Sequence, residues 1–291
     1  MKDMSKINVT DLTKRFDGEK VLRHINLDIQ EGRITSLLSP SGHGKTTLIK
    51  CLVGIYVKDD GSIKLDGEEV ENLSDVAGYS FQENSFYEDL TVQENLRFYG
   101  VQKNVSDEDI AKKGNELLQT LGIHEKKDAL AKNLSGGMRK RLDLTLTLID
   151  DPDIVILDEP LAGLNKELRD KIHFLLRELK RAGKTVLLTT HLLEELEDFA
   201  DDIIIMRDGE ITYDGPFEEM ESYWKLTIRI TSQFDYNLIQ EYHYYQEYDE
   251  VSIYFETKEE GVELLQKLVD KDAEGIVDLS VKRANVELFM N

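Results

Sequence analysis

Residues 34–52, ITSLLSPSGHGKTTLIKCL, run a short apolar stretch into a glycine-bearing polar loop and then directly into a helix-forming segment. A strand that delivers the chain into a helix N-terminus places the sequence in the α/β class. The loop is close to the phosphate-binding pattern G-x-x-x-x-G-K-S/T. There, successive backbone N–H groups cradle phosphates, the lysine reaches the β- and γ-oxygens, and the hydroxyl holds Mg2+. Gly42, Gly44, Lys45 and Thr46 stand in their places, and Ser41, His43 and Thr47 complete the candidate cradle. Ser39 replaces the first glycine at the edge of the loop, where a Cβ fits if φ is negative. His43 still offers its backbone amide. A glycine-rich turn capping a helix is the plain alternative, and a phosphate loop by itself leaves many nucleotidases open.

The rest of the chain alternates strand and helix signals. Residues 6–38 read as antiparallel strand material in three segments, KINVTDL, VLRHINLDI and RITSLL. GSIKLDG is a short strand closed by a glycine turn, and residues 92–149 are mostly helical by period, restarting after NLSGGM. DIVILDEP and KTVLLTTH are short apolar runs rich in β-branched residues, the mark of buried parallel strands, with a helix over 166–182 between them. ADDIIIMRDGEITYDG reads as a closing hairpin. After Gly215-Pro216 the composition shifts: residues 217–291 carry 17 acidic and 7 basic side chains and seven of the twelve tyrosines. LTIRIT, VSIYFE and IVDLSVK read there as strands and VELLQKLVDK as a helix, a small α+β appendage.

Charge narrows the partners. Lys and Arg number 36 against 58 Asp and Glu, a net charge of −22. A nucleic-acid binder needs a basic face to neutralise phosphates, so this balance argues against nucleic acid. No apolar run reaches about 18 residues, and MKDMSKINVTDL lacks the apolar centre of a secretory signal. The expectation is a cytoplasmic chain with no direct membrane insertion. The single Cys51 fits a reducing compartment. Set among Leu48, Leu52 and Val53, it reads as a small core residue rather than a reactive thiol. The stretch YHYYQEY at 242–248 has no Lys or Arg within it and reads as a strand surface or contact patch.

Six further elements stand in the order found in ATP-binding-cassette (ABC) ATPases, and residues 5–216 resemble that family. Phe16, in LTKRF, matches the aromatic that stacks on adenine, the alternative being an ordinary core phenylalanine. Gln82, in GYSFQENSF, matches the Q-loop glutamine that touches Mg2+ and senses the transporter partner. LSGGM at 134–138 matches the signature motif, in which Ser135, Gly136 and Gly137 open a helix whose N–H groups and dipole face an anion. In the family that anion is the γ-phosphate held by the opposite subunit. Met138 stands where glutamine is usual. With Arg139, Lys140 and Arg141 behind it, the signature looks like the branch that exports drugs, antibiotics, sodium and lipids. IVILDEP corresponds to the Walker B strand, with Asp158 holding Mg2+ through water and Glu159 as general base. LAGLN corresponds to the D-loop, with Asn165 in place of the usual aspartate, and His191 corresponds to the switch histidine at the γ-phosphate.

The resemblance implies a RecA-like P-loop core with an antiparallel β subdomain and a helical subdomain over roughly 83–149, all within residues 1–216. A small α+β accessory domain would then occupy 217–291. ATP and Mg2+ are the implied cofactors. Lys45, Gln82, Glu159 and His191 would serve hydrolysis, and Thr46, Gln82 and Asp158 the metal. The implied partners are a transmembrane permease subunit and a second ATPase subunit, in a head-to-tail homo- or heterodimer on the inner face of the cell membrane. Export of a drug, peptide, lipid or ion is the expected work. Ser39, Met138 and Asn165 keep open a low-activity structural subunit of an asymmetric pair. A soluble, non-transport ABC protein is the other alternative, though such proteins carry two cassettes or a long coiled-coil insertion that this chain lacks.

Overall fold

The computed structural model of the protein describes residues 5–82, 85–190, 196, 198–220, 224–242, 244–255, 257–270 and 274–283. The chain divides into two compact units, Met1–Asp214 and Gly215–Asn291.

In the first unit, β1 (Ser5–Phe16) and β2 (Glu19–Gln30) pair antiparallel around Asp17 and Gly18, both at positive φ, the geometry of a tight two-residue hairpin turn. β3 (Ile34–Leu38) leads through the glycine-bearing loop into α1 (Lys45–Leu52). β4 (Asp60–Leu65) joins β1 antiparallel and β5 (Glu68–Val70) joins β4, giving a sheet ordered β2-β1-β4-β5. β6 (Ala77–Ser80) precedes the helices α2 (Val92–Gln102), α3 (Asp107–Thr120) and α4 (Gly136–Thr147). β7 (Ile154–Leu157), α5 (Lys166–Arg181), β8 (Thr185–Thr190), β9 (Asp202–Arg207) and β10 (Glu210–Pro216) complete the order. A second sheet runs β10-β9-β3-β8-β7-β6, parallel from β9 through β6.

One expectation is corrected here. RITSLL does not join the antiparallel strands; β3 lies between β9 and β8 and pairs parallel with both. Its five residues are all buried, which is what a strand covered on both faces requires and what its unbroken apolar run encodes. β6 carries no such signal: AGYS is short and holds two of the smallest residues. Gly78 is required there because a Cβ would fall 2.3 Å from the carbonyl oxygen of Thr147.

The two sheets share one core. Ile7, Leu12, Leu22 and Ile25 from the antiparallel sheet meet Leu37, Ile156, Leu187 and Ile204 from the parallel one, with Leu48, Ile49 and Leu52 of α1 among them. Each such side chain contributes roughly 1.5–3 kcal/mol when fully buried. A separate cluster built on Val92, Leu96, Ile110, Leu118, Leu142 and Leu146 holds α2, α3 and α4 together. α2 starts on a capping box, Thr91 accepting from the Glu94 amide while the Glu94 carboxylate accepts from the Thr91 amide. No helix among the described residues is long and apolar enough to cross a membrane.

The second unit contains α6 (Phe217–Met220), β11 (Trp224–Ile230), β12 (Tyr244–Glu247), β13 (Glu250–Phe255), α7 (Lys258–Asp270) and β14 (Ile276–Arg283). Its antiparallel sheet is ordered β12-β13-β11-β14, so the tyrosine-rich stretch supplies the edge strand β12. Leu264 and Leu268 of α7 pack with Leu226, Ile228, Val251 and Ile253.

Candidate functional site

The loop 39–44 emerges from β3 at the C-terminal edge of the parallel sheet, where open α/β folds place ligands. Gly42 and Gly44 both take left-handed backbone, at φ +86° and +106°, which a side chain would strain. A Cβ on Gly44 would also lie 3.1 Å from Leu22 Cδ2 and 3.3 Å from the Val21 carbonyl oxygen, so the loop is seated against β2. Ser39 is fully buried, and its hydroxyl donates to the Pro40 carbonyl oxygen at 3.1 Å. The Lys45 ammonium, on a residue only 7% exposed, donates to the carbonyl oxygens of Ser39 (2.6 Å) and Pro40 (3.2 Å). Burial pushes its pKa down, opposed by the carboxylates of Glu159 and Asp158. His43 Nδ1 accepts from the backbone N–H of Asp208 at 2.9 Å, which ties the loop to the β9–β10 turn. Ser41 is exposed beside it, and Thr47 lies in the first turn of α1.

The two adjacent carboxylates are held differently. Asp158 is fully buried at the end of β7. Its Oδ2 accepts from Thr46 Oγ1 at 2.7 Å and its Oδ1 from Thr189 Oγ1 at 2.6 Å. Glu159 takes a left-handed φ of +52°, uncommon for a residue with a Cβ, and donates its N–H to Thr189 Oγ1 at 2.8 Å. That turn brings Glu159 Oε1 to 4.0 Å from Lys45 Nζ. The structure therefore gathers Lys45, Thr46, Asp158 and Glu159 around one loop. Thr189, Lys140 and Asp143 also belong to this region and escape sequence reading. Thr189 is one of two threonines before His191, and Lys140 sits in the basic run behind the signature, where nothing in the sequence marks it as buried.

The other candidates sit apart from that cluster. Phe16 closes β1, is 39% exposed, and packs edge-on against Tyr56 with ring centroids 5.2 Å apart, so it is not a core residue. Lys14 Nζ lies 5.1 Å from the Phe16 ring centroid. Gln82 follows β6 and is exposed. Ser135 occupies the N-cap position of α4, but its side chain makes no capping bond. A Cβ on Gly136 would meet nothing within 4 Å, whereas one on Gly137 would fall 2.9 Å from Leu168 Cδ1. Among the described residues, no hydrogen bond joins Ser135, Gly136 or Gly137 to the phosphate loop of the same chain. Asn165 caps α5, accepting from the Leu168 amide at 3.1 Å, a task Asp and Asn perform about equally. His191 lies outside the described residues.

Comparison with known proteins places these features in a family. Residues 22–162 match the ABC transporter family. The Nod factor export ATP-binding protein I of Ralstonia nicotianae is 35% identical over 218 residues, covering 74% of this chain and 68% of that protein. The taurine import ATP-binding protein of Jannaschia sp. is 35% identical over 226 residues, covering 74% and 84%. A solved structure of the ATP-binding subunit of an ABC transporter superposes with a TM-score of 0.69 at 23% identity, over 75% of this chain and 92% of that one, a likeness of fold. The fold is thus the P-loop ATPase fold of the cassette proteins, with an added C-terminal unit. The family match spans the phosphate loop, the signature segment and the carboxylate strand alike, and the chain belongs to the ABC transporter family as an ATP-binding, ATP-hydrolysing subunit.

Proposed function

We propose that Lys45, Thr46, Asp158 and Glu159 form the hydrolytic half-site for ATP, and that turnover there drives export through a separate transmembrane permease subunit. The observation that carries the reading is the convergence of the four groups: Thr46 Oγ1 at 2.7 Å from Asp158 Oδ2 and Lys45 Nζ at 4.0 Å from Glu159 Oε1. Phosphoryl transfer asks the protein mainly for positioning and charge stabilisation, and a buried ammonium beside two carboxylates at a phosphate loop offers both. The loop N–H groups and Lys45 would take the β- and γ-phosphates, Phe16 would stack on adenine, and the Glu159 carboxylate would accept the proton of the attacking water.

Thr46 and Asp158 fit Mg2+, a hard cation that takes one or two protein oxygens and keeps water and phosphate oxygens for the rest. Bound there, Mg2+ supplies positive charge that offsets the phosphates. Gln82, exposed just after β6, would serve that cation and report on the permease, and His191 would meet the γ-phosphate.

The signature residues Ser135, Gly136 and Gly137 are assigned to the nucleotide of a second ATPase subunit, head to tail. Two features support this: the open space around Gly136 and the Ser135 hydroxyl that makes no cap. Export is favoured by LSGGM with its basic run, while the named relatives include an exporter and an importer. The working place would be the cytoplasmic face of a membrane, with residues 1–216 as the ATPase domain and 217–291 as an accessory unit for dimer contact. Ending the chain at Pro216 tests that last role: dimerisation unchanged by the truncation refutes it.

Glu159→Gln tests the core of the proposal. It keeps size and hydrogen bonding but removes the base, so turnover should fall about 100-fold or more with ATP affinity retained. Undiminished turnover overturns the assignment.

A further inference from the structure

We propose that Lys140 and Asp143, one turn apart on α4, are positioning residues that clamp both flanks of Gln82 and the peptide between Asp158 and Glu159. This rests on the reading of Asp158 and Glu159 as the hydrolytic pair. Both side chains are buried, Asp143 at 1% exposure. Lys140 Nζ donates to the carbonyl oxygens of Phe81 (3.2 Å) and Asp158 (3.4 Å). Asp143 accepts from the Ser80 hydroxyl, from the Ser85 hydroxyl at 3.0 Å, and from the Ser85 amide at 3.3 Å. Ser80 and Phe81 lie immediately before Gln82 and Ser85 three residues after it, so a single helical turn holds the chain on both sides of the glutamine.

The same lysine reaches the catalytic turn. The carbonyl of Asp158 and the N–H of Glu159 belong to one peptide unit, gripped at the oxygen by Lys140 and at the nitrogen by Thr189 Oγ1 at 2.8 Å. Glu159 sits in left-handed backbone immediately after that unit, a conformation that persists only where the surroundings over-determine it. Ser80 adds a third link, its carbonyl accepting from the Asp158 amide at 2.8 Å.

A buried ammonium is costly unless charge and hydrogen bonds offset it. Burial pushes Lys140 down in pKa, and Asp143 first, then Asp158 and Glu159, hold it up. Charge-assisted bonds to carbonyls are stronger than neutral ones, which suits a group that must hold a peptide oxygen in place. α4 also begins at the signature glycines. A shift of that helix would therefore move the Gln82 flanks and the Asp158–Glu159 peptide together, joining the segment assigned to the partner's nucleotide to the chain's own carboxylates.

The test uses the full chain with Lys140→Met, Lys140→Arg and Asp143→Asn, reading ATP turnover, KM, hydrogen exchange at the Ser85 amide, and unfolding. Lys140→Met should lower kcat about tenfold or more with KM changed less than about twofold, because a misplaced carboxylate costs turnover more than ground-state binding. Lys140→Arg should recover most of that loss, and exchange at Ser85 should quicken in Lys140→Met and Asp143→Asn. If Lys140→Met does not fold, Asp143→Asn, which keeps volume and shape, carries the same two readouts. Folded variants with turnover within about twofold of the parent and unchanged Ser85 exchange overturn the clamp. Glu159→Gln run alongside separates the two failures: full turnover in that variant sinks the hydrolytic reading, while Ser85 exchange still decides the clamp.

Discussion

The hydroxyl of Thr189 lies between Asp158 and Glu159, donating to Asp158 Oδ1 at 2.6 Å and accepting from the Glu159 N–H at 2.8 Å. One buried oxygen from β8 thus fixes the carboxylate of the first residue and the backbone of the second. Thr189→Val keeps the shape and removes both bonds, leaving a buried carboxylate oxygen and an amide without their partner. The expected cost is about 1–3 kcal/mol of stability, with a loss of ATP turnover larger than any loss of ATP affinity. Thermal unfolding and steady-state hydrolysis check it. An unchanged midpoint together with full turnover would show that the hydroxyl supports neither residue.

The two signature glycines differ in their surroundings, and alanine separates them. At Gly137 a Cβ meets Leu168 Cδ1 at 2.9 Å, so Gly137→Ala must turn that side chain of α5 aside and should gain less stability than Gly136→Ala. At Gly136 a Cβ meets nothing within 4 Å, and the gain in helix propensity, about 0.5–1 kcal/mol, is unopposed. Gly136→Ala should therefore unfold no earlier than the parent, and hydrolysis should drop if, as proposed, that open space receives a partner's nucleotide. Parent-like hydrolysis in a stable Gly136→Ala chain would remove Gly136 from the dimer site.

Most of the fold was legible because the relevant signals are local. The apolar runs of β3, β7 and β8 end in polar punctuation, and the glycines of loop 39–44 and residues 133–138 mark turns that only a few structures use. What sequence did not reveal is set by tertiary geometry. The sheet to which β3 belongs depends on which strands flank it, and β6 shows no apolar run, since Gly78 must pass the Thr147 carbonyl. In the site, Lys45, Thr46, Asp158 and Glu159 carry motif spacing. Thr189, Lys140 and Asp143 do not, since a threonine in a β-branched strand or a charged pair on a helix has no pattern until the fold turns it inward.

His43 is unusual in a phosphate loop, and its structural use is specific: Nδ1 accepts from the Asp208 amide at 2.9 Å. The proton therefore sits on Nε2 while that bond is made. Asparagine places an amide oxygen close to where Nδ1 stands, whereas alanine offers no acceptor. His43→Asn should retain nucleotide affinity, and His43→Ala should lose about 0.5–1.5 kcal/mol of stability and bind ATP more weakly. Calorimetric titration with ATP distinguishes them. Equal affinity in the two variants would mean that the tie to the β9–β10 turn does not shape the loop.

Cys51 offers a probe of the helix that follows the phosphate loop. It lies on α1, is 2% exposed, and burial pushes its thiol up to about 11. Since the thiolate is the nucleophile, the native chain should react with a disulfide reagent at pH 8 far more slowly than the unfolded chain, through openings of α1. With ATP on the loop from which α1 begins, as proposed, the nucleotide should slow labelling further, in proportion to how strongly it favours the closed helix. The measurement is the rate of thiol release with and without ATP, against denatured chain as reference. Rapid labelling of the native chain would place Cys51 outside the core, and a rate indifferent to saturating ATP would separate α1 from nucleotide binding.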